Sequence, residues 1–102
     1  MVGHVYKYNL AVNKIKEAIE QDELGQIHYV RAHRTSLGPR IRTDVNVVWD
    51  YAIHDLYIAM YLFGGRPERV RAWGKSCLHH EIEDVVVIDL HFPTDIWVCI
   101  QC

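Results

Sequence analysis

Along the first third of the chain the period of apolar and polar positions changes twice. Val2 to Tyr6 alternates weakly and predicts a short strand. Asn9 can then cap a helix running to about Gln21 or Asp22, with Ala11, Ile15, Ala18, Ile19 and Leu24 as its apolar stripe. Lys14, Lys16, Glu17 and Glu20 fall largely outside that stripe, and Gly25 follows as a residue able to take the left-handed conformation that ends a helix. From Gln26 to Thr35 the period shortens to two, with Ile27, Tyr29 and His33 on one face and His28, Val30, Ala32 and Arg34 on the other, which predicts a strand.

The stretch from Leu37 to Asp44 carries Gly-Pro punctuation and neither period, so it reads as a loop that carries function. Asp44, Asn46 or Asp50 can cap the next helix, which continues through Tyr57, Met60 and Leu62 until Gly64-Gly65 and Pro67 stop it. Apolar residues surround much of this helix, and deep burial is expected. Three strands follow, at about 68–77, 82–92 and 96–102, with Phe92-Pro93-Thr94-Asp95 turning between the last two.

The order β-α-β-α-β-β-β predicts an α+β fold, a predominantly antiparallel sheet with helices on one face. The final apolar run, Ile96 to Cys102, has no closing turn or polar tail. Truncation inside a longer domain would leave such an end, so residues 1–102 are expected to be a single, partial domain.

Composition narrows the function classes. At 102 residues, half of them apolar and about a quarter charged, the chain can support one folded core and no second domain. A net charge of −2 offers no positive field for a phosphate backbone or an anionic membrane surface, and no apolar run is long enough to cross a bilayer. The opening residues lack the features of a signal peptide, and a cytoplasmic setting is expected. Three cysteines cannot all pair within one chain and imply no disulfide framework.

The candidate chemistry centres on Trp49-Asp50-Tyr51-Ala52-Ile53-His54-Asp55. Four residues apart on a helix, Asp50 and His54 share a face, where a carboxylate can orient an imidazole that titrates near neutrality. Such a histidine can move a proton to or from a substrate hydroxyl. The same spacing equally fits a helix capped by Asp50 with His54 as a satisfied core histidine, and spacing alone favours that structural role. Asp55 points elsewhere and is a candidate to hold the loop.

Several motifs in order add to the pair. Val2-Gly3-His4-Val5-Tyr6-Lys7-Tyr8-Asn9, Glu23-Leu24-Gly25-Gln26-Ile27, Arg42-Thr43-Asp44-Val45-Asn46 and the Trp49 to Asp55 run resemble segments of the glucose-fructose oxidoreductase, inositol dehydrogenase and MocA-like family, particularly its nucleotide-sugar dehydrogenase branch. The resemblance covers nearly the whole chain. It implies the truncated C-terminal domain of a two-domain enzyme whose missing N-terminal Rossmann domain binds NAD or NADP and supplies a lysine. It implies His54 as the proton-transfer or hydroxyl-binding residue, Asp50 as its partner, and Arg40, Arg42, Asp44 and Asn46 near a sugar or nucleotide-sugar. It also implies a homo-oligomer, formed by packing an open apolar sheet face against another subunit. The chain holds no G-x-G-x-x-G, so the cofactor site is expected elsewhere and the fragment alone is expected to be inactive.

Other signals carry less. Cys99 and Cys102 have C-x-x-C spacing, but residues three apart on a strand point to opposite faces. His79, His80 and His91 with Glu81, Glu83 and Asp84 could gather around a metal, although a solvated turn fits them better, and no metal site is expected. The competing functions are a non-catalytic sugar-binding relative and a protein-interaction or oligomerisation module.

Overall fold

The computed structural model describes residue 3 and residues 5–36, 42–78 and 80–102. Val5–Tyr8 forms a single 3₁₀ turn, not the predicted strand; Met1, Val2 and His4 lie outside the described residues. The alternation there is too short to hold a strand without a partner, and the turn instead feeds the first helix. Asn9 caps α1 (Leu10–Glu20) as expected, its side-chain oxygen accepting from the N–H groups of Ala11 and Val12. Val12, outside the anticipated stripe, is the buried residue of α1, while Ala11, Ile15 and Leu24 are exposed. A turn with Asp22 at positive φ intervenes before Gly25, whose φ is +64°.

β1 (Tyr29–His33) turns Val30 and Ala32 inward and Tyr29, Arg31 and His33 outward. The second helical segment opens with a π-helical turn over Val48–Ala52 and continues as α2 (Ile53–Phe63). Gly64 closes α2 in the left-handed conformation, φ 75° and ψ 46°, which a Cβ would disfavour. Only Ala52, Ala59 and Leu62 along this segment are buried, so the helix is half-covered and less deeply placed than its apolar composition implied. α1 lies against it through two hydrogen bonds, Tyr61 donating to Asn13 and the Lys16 ammonium to the Leu62 carbonyl.

β2 (Arg69–Lys75), β3 (Val85–His91) and β4 (Trp97–Gln101) complete a four-stranded sheet in the order β1-β4-β3-β2. β2/β3 and β3/β4 pair antiparallel, while β1 and β4 run parallel. The turn between β3 and β4 closes where Asp95 donates its N–H to the Phe92 carbonyl at 3.0 Å. Val86, Ile88 and Leu90 of β3 and Val98 and Ile100 of β4 face the helices, and Phe63 meets Phe92 edge-on at 5.5 Å. The core therefore lies under the two central strands.

The opposite face differs from the apolar surface anticipated. Register places Tyr29, Trp97, His91 and Arg69 in one row across it, Arg31, Cys99, Asp89 and Arg71 in the next, and His33, Gln101, Val87 and Trp73 in a third. Aromatic and charged groups alternate there because only every second residue of each strand is needed by the core.

Candidate functional site

A cleft of about 650 Å³ lies beside the last pair of the β1–β4 ladder, His33 opposite Gln101. Its volume falls in the range of small-molecule sites. Arg34 and Gln101 come to it from those strand ends, Glu83 from the connection between β2 and β3, and Arg42, Asp50 and Tyr51 from the segment leading into α2. A backbone bond from the Val47 N–H to the Glu83 carbonyl at 2.9 Å ties the two walls together.

Asp50 lies in the π-helical turn. Asn46 supports that turn, its side-chain oxygen accepting from the Trp49 N–H at 3.3 Å, so the cap among the three candidates is Asn46. Arg42 grips Asp44 in a two-pronged pair, with Nε 2.9 Å from one carboxylate oxygen, and its other arm lies 3.8 Å from Asp50. The hydrogen bond from Arg42 holds the Asp44 carboxyl below its ordinary range, and the same bond pushes the guanidinium up. Arg40 lies outside the described residues.

The structure does not join Asp50 to His54. Among the described residues Asp50 is partnered by Arg42, while the His54 ring lies against Tyr6, centroids 5.1 Å apart. The two residues remain four apart through the π turn, but each side chain is engaged elsewhere, Asp50 toward Arg42 and His54 against Tyr6.

Sequence reasoning missed the strongest polar contact beside the cleft. Arg34, one residue past β1, forms two hydrogen bonds with Asp55, at 2.9 and 3.0 Å, and donates a third to the Tyr6 hydroxyl at 2.9 Å. The hydrogen bonds to Asp55 raise the guanidinium above its already high value, against the opposing effect of burial. Asp55, Arg34, Tyr6 and His54 thus form one connected chain linking α2, β1 and the N-terminal turn. The clue lay in the strand period, which put Arg34 on the same face as Val30 and Ala32: an arginine facing a core needs a carboxylate.

Cys99 and Cys102 are free thiols on opposite faces, as the strand geometry required, and burial pushes both up. His91 sits on the outer sheet face, its ring 4.4 Å from that of Trp97. Its Nε2 is 3.1 Å from Asp95. Its Nδ1 lies 2.8 Å from a Glu68 oxygen without forming a hydrogen bond. His79 lies outside the described residues, and among those described no three His, Cys, Asp or Glu side chains are arranged to hold a metal. No helix among them is long and apolar enough to cross a membrane.

The model of the GFO/IDH/MocA C-terminal domain matches residues 12–102. The chain is 29% identical over 101 residues to myo-inositol 2-dehydrogenase of Thermotoga maritima, covering 90% of this chain and 30% of that protein. It is 29% identical over 77 residues to UDP-N-acetylglucosamine 3-dehydrogenase of Acidithiobacillus ferrooxidans, covering 76% of this chain and 23% of the other. A crystal structure of a probable dehydrogenase from Thermotoga maritima superposes with a TM-score of 0.80 at 29% identity, over 97% of this chain and 33% of that one. The chain thus spans a third or less of the length of the proteins it matches.

Proposed function

Because the chain belongs to the GFO/IDH/MocA C-terminal domain family, we propose that it is the substrate-binding and dimer-forming portion of an NAD(P)-dependent oxidoreductase acting on a sugar or nucleotide-sugar hydroxyl. The observation that carries the reading is the cleft lined by Asp50 and by Arg42, a guanidinium that also holds Asp44. Carboxylates offer only lone pairs and guanidinium only N–H donors, so together they match hydroxyls, which both donate and accept.

Oxidation of a secondary alcohol requires a group to receive the hydroxyl proton. We assign that role to His54, four residues after Asp50 and half-buried against Tyr6; it is not one of the residues lining the described cleft, and it neighbours the cleft through the Tyr6–Arg34 contact. Asp50 binds and orients the hydroxyls from the cleft wall; it does not act through a bond to His54. Arg34 and Asp55 fix the segment that presents both, and Asn46 shapes the turn carrying Asp50.

The described residues do not fit a dinucleotide. The glycines with positive φ, at 25, 64 and 65, follow the helices and do not open them, so no glycine-rich turn presents helix N–H groups to a pyrophosphate. The cofactor, NAD or NADP, belongs in this reading to a Rossmann domain elsewhere in the enzyme, the chain alone is inactive, and the protein acts in the cytoplasm. The exposure of Tyr29, Trp73 and Trp97 on the outer sheet face, at 59, 51 and 44%, supports a homo-oligomer formed through that face.

The test is His54→Ala in the full-length enzyme. Turnover falls by about two to four orders of magnitude, the contribution typical of a general base, while binding of the nicotinamide nucleotide is unchanged. Retained turnover would return His54 to a packing role against Tyr6.

A further inference from the structure

We propose that the cleft selects an uncharged sugar or cyclic polyol ring over the same kind of ring carried on a nucleoside diphosphate. This rests on the reading above that the cleft takes a sugar, and it decides between the two substrate classes which that reading leaves open. The names of the two relatives mark the alternatives: one acts on an uncharged cyclohexane polyol, the other on a sugar esterified to uridine diphosphate.

The discriminating feature is the state of the arginines. Two guanidiniums line the described part of the cleft, and both are committed within the protein. Arg34 spends its fork on Asp55 and a further N–H on Tyr6. Arg42 holds both oxygens of Asp44 and leans toward Asp50. A diphosphate is recognised by forked, charge-assisted bonds from arginine. To obtain them from either of these two arginines it would have to displace a carboxylate already in the same geometry.

The remaining charge points the same way. Each guanidinium is neutralised by its own carboxylate, and Asp50 and Glu83 also face the cleft. Glu83 enters no ion pair among the described residues. In a concave site such charges are focused and repel an anion. A hydroxylated ring meets no such penalty, because its O–H groups donate to Asp50 and Glu83 without moving either arginine.

A matched pair of ligands isolates the diphosphate. Calorimetric titrations of the full-length protein, with NADH and NADPH both saturating so that the dinucleotide site is filled and no sugar is oxidised, compare N-acetylglucosamine with UDP-N-acetylglucosamine, and myo-inositol with both. The proposal expects at least one of the uncharged rings to bind about tenfold or more tightly than the UDP-linked sugar. Asp44→Asn, which releases Arg42 from its carboxylate, should raise affinity for UDP-N-acetylglucosamine by about tenfold, the worth of one charge-assisted contact. Equal or tighter binding of the UDP-linked sugar by the wild type overturns the proposal and leaves the dehydrogenase reading standing. Binding of none of the three overturns both. Should Asp44→Asn fail to fold, the wild-type comparison still decides.

Discussion

Replacing Asp55 by Asn tests the contact that joins α2 to the end of β1. The two side chains are nearly isosteric, so the change removes charge and one acceptor without opening a cavity. The Arg34 and Asp55 side chains are 27 and 10% exposed, their two bonds measure 2.9 and 3.0 Å, and the Tyr6 hydroxyl occupies a further donor. A fully exposed pair would contribute less than about 1 kcal/mol, and breaking a fully buried one costs about 3–5 kcal/mol. With Arg34 retaining some solvent and Asn one acceptor, the cost falls between, at roughly 2–3 kcal/mol. For a domain of this size that lowers the melting temperature by roughly 10–20 °C. Urea unfolding followed by tryptophan fluorescence, with Arg34→Met and the double variant to complete the cycle, measures the coupling. A coupling below about 0.5 kcal/mol would show that the pair behaves as a surface contact and that the chain from Asp55 to His54 is not rigid.

Other outcomes follow from the same geometry. Ile100, fully buried at the centre of β4, should cost about 2–5 kcal/mol when changed to Ala, measured by the urea midpoint. Asp44 has its carboxyl held below the ordinary value of 3.8, so the Arg42–Asp44 pair is intact above that value and is lost only as the pH falls below it; a carbon-13 carboxyl titration with a midpoint above 3.8 would contradict this. Cys77 is exposed while Cys102 is buried with its thiol pushed up, so iodoacetamide at neutral pH should label Cys77 quickly and Cys102 only on unfolding, as read by peptide mass spectrometry.

Period and punctuation carried most of the fold. Asn9, Gly64 and the Phe92 to Asp95 turn each act through their own backbone chemistry, so their roles were legible from residue type alone. β1 was likewise visible as alternation, and the three later strands as runs of strand-forming residues with a turn between the last two. What local pattern could not encode was pairing: the parallel contact of β1 with β4 joins residues about seventy positions apart, and it sets Gln101 beside Arg34 in the cleft wall. The short N-terminal alternation misled because period two without a partner strand has nothing to stabilise it.

The site was legible by motif and not by geometry. Asp50 and Arg42 do meet at the cleft, but the tertiary contacts that take Asp50 to Arg42 and His54 to Tyr6 in place of the helical pair leave no signature in residue type. Asp55 was read as a candidate to hold the loop, and its partner Arg34 was placed on the strand face shared with Val30 and Ala32; only the tertiary fold brought the two together.

The most direct test of the central claim is where a sugar binds. Titrating the isotopically labelled protein with myo-inositol and N-acetylglucosamine, and following its amide resonances, maps the contact residue by residue. The account predicts saturable shifts at Arg42, Asp50, Tyr51, Glu83 and Gln101, the residues lining the cleft. Shifts confined to the outer sheet face around Trp73 and Trp97, or no saturable shift with either ligand, would contradict it.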